Sequence, residues 1–182
     1  MKFKNREEIK QILDMNITDA EKRNLIANLK NYKTEVTRII VTDYELNIKE
    51  GQIWDNQGKA TSWMDANAEN TRQFIPETDR SIMYVLIVDG EVEGYQVQYF
   101  SYDKLFEYFY YDLDMEEDQA DELAYQLAND EVYLKLMELL GSDGDMENEA
   151  EILIPAETQF RIKEINDGRE DVGYIEVILE QI

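Results

Sequence analysis

Glu147–Ile162 reads ENEAEILIPAETQFRI. The stretch closes an acid-rich region. From Ile152 it becomes the short run of branched apolar residues expected of a buried strand. Pro155 ends that strand, because it has no N–H to give to a ladder. Downstream, Thr158–Ile165 (TQFRIKEI) and Tyr174–Leu179 (YIEVIL) alternate apolar and polar residues as strands do. Asn166-Asp167-Gly168 begins the turn that joins them as a hairpin. The C-terminal end of the chain is therefore predicted to be β-structure.

Working back from it, Ser81–Val88 (SIMYVLIV) is the strongest strand signal in the chain. Asp89–Gly94 (DGEVEG) is predicted to turn it, with Tyr95–Phe100 (YQVQYF) as a half-buried return strand. Glu35–Val41 (EVTRIIV) is a further core strand. It contains Arg38, and a charge in such a strand needs a cleft or a partner carboxylate, because burying it alone is costly. Thr61, Ser62 and Trp63 end another strand, and Asp65 is placed to cap a helix running to Phe74, before Pro76. Residues 5–33 read as two helices. Ile9, Ile12 and Leu13 share a face of the first; Thr18 or Asp19 caps the second, with Glu21 near its start.

Tyr102–Leu140 has the spacing of helices, with a break at Asn129-Asp130 and closing glycines at Gly141 and Gly144. Its charge is lopsided. Tyr102–Glu151 holds 17 Asp/Glu against two Lys and no Arg, a net −15 out of −23 for the whole 182-residue chain. Charge concentrated in this way points to an acidic face, formed by Asp112, Asp114, Glu116, Glu117, Asp118, Asp121 and Glu122. The −23 disfavours direct contact with nucleic acid or an anionic membrane and favours a basic partner. The chain has no Cys and no His, which removes disulfides, thiolate metal sites and the commonest general base. Asp143–Ile154 fails as a calcium loop: Asn148 stands at the sixth position and Ile154 at the twelfth, where Gly and Glu belong. No metal site is expected. No run approaches the roughly 20 apolar residues of a membrane span, and the N-terminus MKFKNREEIK is too polar for a signal peptide, so the expectation is a soluble intracellular, cytoplasmic protein.

Three segments then fall into one family's order. Arg38 in an early strand, Thr61-Ser62-Trp63 before a helix, and Glu149-Ala150-Glu151 ahead of ILIPAETQFRI resemble the mono-ADP-ribosyltransferases over about residues 34–182. Met64 stands at the third position of the family's Ser-x-Ser segment, and Ile39 where Gly commonly follows the first-strand Arg. The resemblance implies an α+β fold, a single domain with a mixed or antiparallel β core of ADP-ribosyltransferase type. The helical segment 1–33 precedes that core, and an acidic helical insert at 102–141 interrupts it. It also implies NAD as co-substrate. Arg38 would hold its phosphates and Ser62 would position the nicotinamide riboside. Glu151 would bond the ribose and stabilise an oxocarbenium-like transition state, and Glu149 would orient or deprotonate an arginine acceptor.

The overall profile also resembles another group. Small, Cys-free, strongly acidic anti-CRISPR and anti-restriction proteins of phages and mobile elements disarm host nucleases. That resemblance implies no cofactor. It implies a basic nucleic-acid-binding partner, most plausibly a CRISPR effector nuclease or its guide-RNA complex. The first expectation for function is thus an acidic inhibitor of such an enzyme, and the alternative is an active arginine-specific mono-ADP-ribosyltransferase using NAD.

Overall fold

The computed structural model describes residues 3–68, 81–141 and 150–182. Glu149, Gly144, residues 143–149 of the calcium-like loop and the expected helix beyond Ala68 fall outside the described residues. The chain has the expected α+β class and forms two compact units. One is helical and takes in described residues 3–26 and 98–141. The other contains the sheet and takes in 27–68, 81–97 and 150–182.

The sheet has six strands: β1 Tyr32–Thr42, β2 Thr61–Asp65, β3 Ile82–Gln96, β4 Glu151–Ile154, β5 Phe160–Asp167 and β6 Ile175–Gln181. Their order is β1-β2-β4-β3-β6-β5, and an additional β1–β3 pairing closes the first four into a ring. Only β3–β6 is parallel; the other pairings are antiparallel. Alternation buries one face: Val36, Trp63, Leu86, Val92, Ile152, Val177 and Leu179 form the core, with Phe160 against Trp63 at 5.4 Å between ring centroids. The expected β5–β6 hairpin forms, but Asn166 and Asp167 extend β5, paired with Glu176 and Ile175, so the turn begins only at Gly168.

Expectations about two strands are corrected. Thr61, Ser62 and Trp63 do not end a strand but begin β2, which runs on to Asp65. Asp89–Gly94 does not turn the chain back. β3 continues through it, for 15 residues in all, and 97–100 is not a strand. The backbone groups of Glu91–Gly94 find partners on Tyr32–Glu35, which is why β1 begins earlier than its apolar run suggests. Between the pairs Glu35–Glu91 and Thr37–Ile87, β3 carries two more residues than β1. Gly90, at φ +98°, absorbs the resulting bend in a conformation that L side chains rarely adopt. Beyond it, β3 reaches β4 at Tyr95–Leu153 and Gln96–Ile152.

In the helical unit, α1 (Arg6–Leu13) buries Ile9 and Ile12. The Thr18 hydroxyl accepts from the Glu21 N–H at 3.2 Å, and Glu21 accepts the Thr18 N–H at 2.8 Å, a capping box for α2 (Asp19–Ala27). α3 (Tyr102–Glu107) runs into a wide π-helical turn, Tyr108–Asp112. α4 (Glu117–Ala128) and α5 (Glu131–Leu140) follow. The break between them is Asp130, whose carboxylate caps α5 through the N–H groups of Val132 and Tyr133 and accepts Arg6 Nε at 2.8 Å. Burial works to raise the Asp130 pKa, but these donors outweigh it and leave it below the usual carboxylate range. Gly141, at φ +71°, closes α5. No helix among the described residues is long and apolar enough to cross a membrane.

The ring closes only where β3 has no side chain. A Cβ on Gly94 would lie 2.7 Å from Ile152 Cγ2, 2.8 Å from Ile154 Cδ1 and 2.8 Å from the Leu153 carbonyl oxygen. Gly94→Ala is expected to destabilise the protein by about 1–3 kcal/mol, the usual cost of overpacking, measured by urea unfolding.

Candidate functional site

β4 lies antiparallel to β2, with Ser62 opposite Leu153, Trp63 opposite Ile152 and Met64 opposite Glu151. Facing residues of paired strands share a side of the sheet, and neighbours along a strand do not. Ser62, Met64, Glu151 and Leu153 therefore share one face, while Trp63, Ile152 and Ile154 point into the core. On the first face the Ser62 hydroxyl donates to Glu151 Oε1 at 2.5 Å. Glu151 is only 5% exposed. A hydroxyl–carboxylate contact of this length, away from water, is a strong charge-assisted hydrogen bond.

The backbone on both sides of the pair is fixed. The Glu151 carbonyl accepts the Val97 N–H at 3.0 Å, and the Ala150 carbonyl accepts the Asp65 N–H at 3.0 Å. Ala150 has φ +45°. That left-handed conformation costs a non-glycine residue about 1–2 kcal/mol, and strain of this kind concentrates at functional sites. Chemically, a sheltered carboxylate aimed by a hydroxyl can accept a hydrogen bond from a sugar hydroxyl. It can also stabilise positive charge that develops beside it.

A row of facing residues extends this face across the sheet: Glu151, Met64, Thr37, Ile87, Ile178 and Glu164. Towards its far end lies a recess of about 350 Å³ with Ile87 and Ile178 among its apolar lining and Glu35, Asp89, Lys163 and Glu164 among its polar groups. Two ladder irregularities meet there, one between Glu35 and Thr37 and one between Ile162 and Glu164. Lys163 is paired with Asp89 at 2.5 Å, which holds its ammonium above the usual lysine range.

Arg38 is placed differently. The pairs Val36–Asp65 and Thr37–Met64 bring it opposite Trp63, with its guanidinium carbon 6.0 Å from the Trp63 ring centroid. Burial lowers its pKa from the usual arginine value, and it makes no ion pair among the described residues. Ser62 and Trp63 point to opposite faces, so the structure brings Ser62 to Glu151 and Arg38 to Trp63. It does not bring Arg38 to the Ser62–Glu151 pair. Glu149 lies outside the described residues.

A buried carboxylate was missed by the sequence reading. Asp65, expected at a helix start, ends β2 and is 7% exposed. It accepts from Thr34 Oγ1 at 2.8 Å, the Tyr32 hydroxyl at 3.2 Å and the Asn67 N–H at 3.0 Å. Its charge, and then its hydrogen bond, push the Tyr32 phenol above the usual tyrosine range. The signal was Tyr32 and Thr34 two apart, just ahead of the apolar run of β1.

The acids expected to form the acidic face are all exposed: Asp112, Asp114, Glu116, Glu117, Asp118, Asp121 and Glu122. Asp121 accepts from the Tyr102 hydroxyl, and Glu122 from Gln126 Nε2 at 3.1 Å. Glu117 and Asp118 occupy the first turn of α4, where the helix dipole favours negative charge. Among the described residues, no group of three or more acids could hold a metal ion.

No protein-family model and no curated protein matches the sequence. Solved structures similar to the chain include Vis toxin, an ADP-ribosyltransferase from Vibrio splendidus (14% identity over 99% of this chain and 68% of that one, TM-score 0.39). C3larvin toxin, an ADP-ribosyltransferase from Paenibacillus larvae, is 11% identical over 98% of this chain and 82% of its own, with a TM-score of 0.38. The type III effector XopAI from Xanthomonas axonopodis pv. citri is 11% identical over 84% of this chain, with a TM-score of 0.38; this chain spans 46% of that structure.

Ser62→Ala removes the hydroxyl that donates to a carboxylate held out of water. The expected cost is about 1.5–3 kcal/mol in urea unfolding, with Ser62→Thr recovering most of it because the donor is retained.

Proposed function

We propose that this protein is a mono-ADP-ribosyltransferase, with Ser62 and Glu151 at its reacting centre. The observation that carries the reading is the 2.5 Å hydrogen bond from Ser62 to a nearly sealed Glu151. Those two residues also stand at matching positions in the motifs that resemble the family. In the reaction the bond between the ribose C1′ and the nicotinamide nitrogen breaks. The electron pair leaves with nicotinamide and neutralises its ring charge, and the ribose is left as an oxocarbenium ion. The Glu151 carboxylate stabilises that positive charge and accepts a ribose hydroxyl; Ser62 keeps the carboxylate in place. An acceptor nitrogen, such as that of an arginine side chain, then bonds to C1′ and passes its proton to a base, for which Glu149 is the candidate. Glu149 is assigned to orient that acceptor. Such chemistry needs no histidine, because the leaving group departs neutral. Phosphate binding by Arg38 belongs to the family resemblance; the geometry of the pair supports Ser62 and Glu151 alone. Incubation with labelled NAD and a cell lysate is expected to label protein, and Glu151→Gln to lower the rate at least about 100-fold. No label transfer, or transfer that survives Glu151→Gln, overturns the reading.

A second reading is supported by the exposed acids of the insert, Asp112, Asp114, Glu116, Glu117, Asp118, Asp121 and Glu122 among them. In it the insert docks a basic nucleic-acid-binding protein in the host cytoplasm and inhibits it. A CRISPR effector nuclease, with or without its guide RNA, is the first partner to assay. The two readings are compatible, since a transferase can modify the protein it docks. Like charges keep nucleic acid and anionic membranes away from the same surface. Attraction of this kind speeds association and weakens with salt. Replacing Glu116, Glu117, Asp118, Asp121 and Glu122 with Lys is expected to abolish binding to such a nuclease. Unchanged affinity after the reversal removes this face from consideration.

A further inference from the structure

The helical unit exposes aromatic rings next to its acids. Leu105 and Phe109 are buried and supply the inward side of this segment. Tyr102, Phe106 and Tyr110 follow at four-residue intervals and stack beside them. The Tyr102 and Phe106 ring centroids are 6.2 Å apart at 20°, and those of Phe106 and Tyr110 are 5.5 Å apart at 9°. The π-helical turn follows, closed by the Leu113 N–H on the Tyr108 carbonyl at 3.1 Å. There the Tyr111 ring meets the Tyr110 ring edge-on at 4.8 Å. Tyr111 is 71% exposed and Leu113 49% exposed, with Asp112 and Asp114 exposed on either side of Leu113. The Tyr102 hydroxyl is bonded to Asp121, which sets a further carboxylate at the other end of the stack. π-helical turns are rare and often mark functional sites.

An acidic surface that only repels phosphates or keeps the protein soluble has no use for exposed rings such as Tyr102 and Tyr111, backed by the half-buried Phe106 and Tyr110. A planar cation has a use for both. The face of an aromatic ring attracts it, and adjacent carboxylates pair with its N–H groups. Lysine's compact, strongly hydrated ammonium exploits the carboxylates but stacks less well, whereas the flat guanidinium does both. We propose that the Tyr102–Phe106–Tyr110 stack, with Tyr111 and the carboxylates of Asp112 and Asp114, is a docking surface for an arginine-rich segment of a partner protein. This rests on the acidic-surface reading above and sharpens it, because charge alone does not distinguish arginine from lysine.

The test uses the full chain and two labelled peptides of equal length, one of arginine and one of lysine, followed by fluorescence anisotropy. The wild type is expected to bind the arginine peptide about tenfold more tightly. Tyr111→Ala, which changes no charge at a largely exposed position, is expected to bring the ratio close to one, and Tyr111→Phe to preserve it. Equal affinity of the wild type for the two peptides overturns this inference and leaves the acidic-surface reading standing. So does an arginine preference that survives the combined Tyr110→Ala and Tyr111→Ala variant, with its helix content checked by circular dichroism. Failure of the wild type to bind either peptide overturns both.

Discussion

β4 has four residues, all of them buried, and it pairs with β2 on one side and with the end of β3 on the other. That double pairing closes the ring of β1, β2, β4 and β3, and Gly94 is the point where β3 comes close enough to allow it. The core side chains Trp63, Ile152 and Ile154 take their positions from this closure. So does the functional candidate, because the register that puts Trp63 against Ile152 also puts Ser62 and Glu151 side by side on the other face.

The period of two along a strand thus separates two kinds of chemistry within a few residues. On the core face, Arg38 lies over Trp63, where burial disfavours its charge. On the other face a carboxylate is kept from water, at a cost that its hydroxyl partner offsets. Ala150 adds backbone strain immediately before Glu151. A strained residue and a sheltered carboxylate beside each other weaken the fold locally, and such a combination is commonest where a site must be held in a set geometry.

The helical unit follows a different logic. Its buried positions are filled by Leu105, Phe109, Ala120, Ala124 and Leu136, and its charge is carried outward. Glu117 and Asp118 suit the start of α4, so part of the acidity has a purely helical reason. The exposed rings of Tyr102 and Tyr111 have no comparable reason within the fold. They are what makes this surface chemically different from an ordinary solvated helix face.

Much of the architecture was legible in the sequence. Apolar runs marked Ser81–Val88 and Ile152–Ile154, alternation and turn residues marked the β5–β6 hairpin, and Thr18, Glu21 and Asp130 marked helix ends. Local pattern was not enough at Asp89–Gly94, where glycines and acids that read as a turn lie inside a 15-residue strand. There, ladder pairing with Tyr32–Glu35 outweighed the local turn preference. The sequence by itself determined the α+β class, the acidic insert, and Ser62, Glu151 and Arg38 as candidates. Only the tertiary structure decided which of them meet. Whether a side chain faces one side of a sheet or the other depends on the register between strands far apart in the chain, and a shift of one residue reverses it.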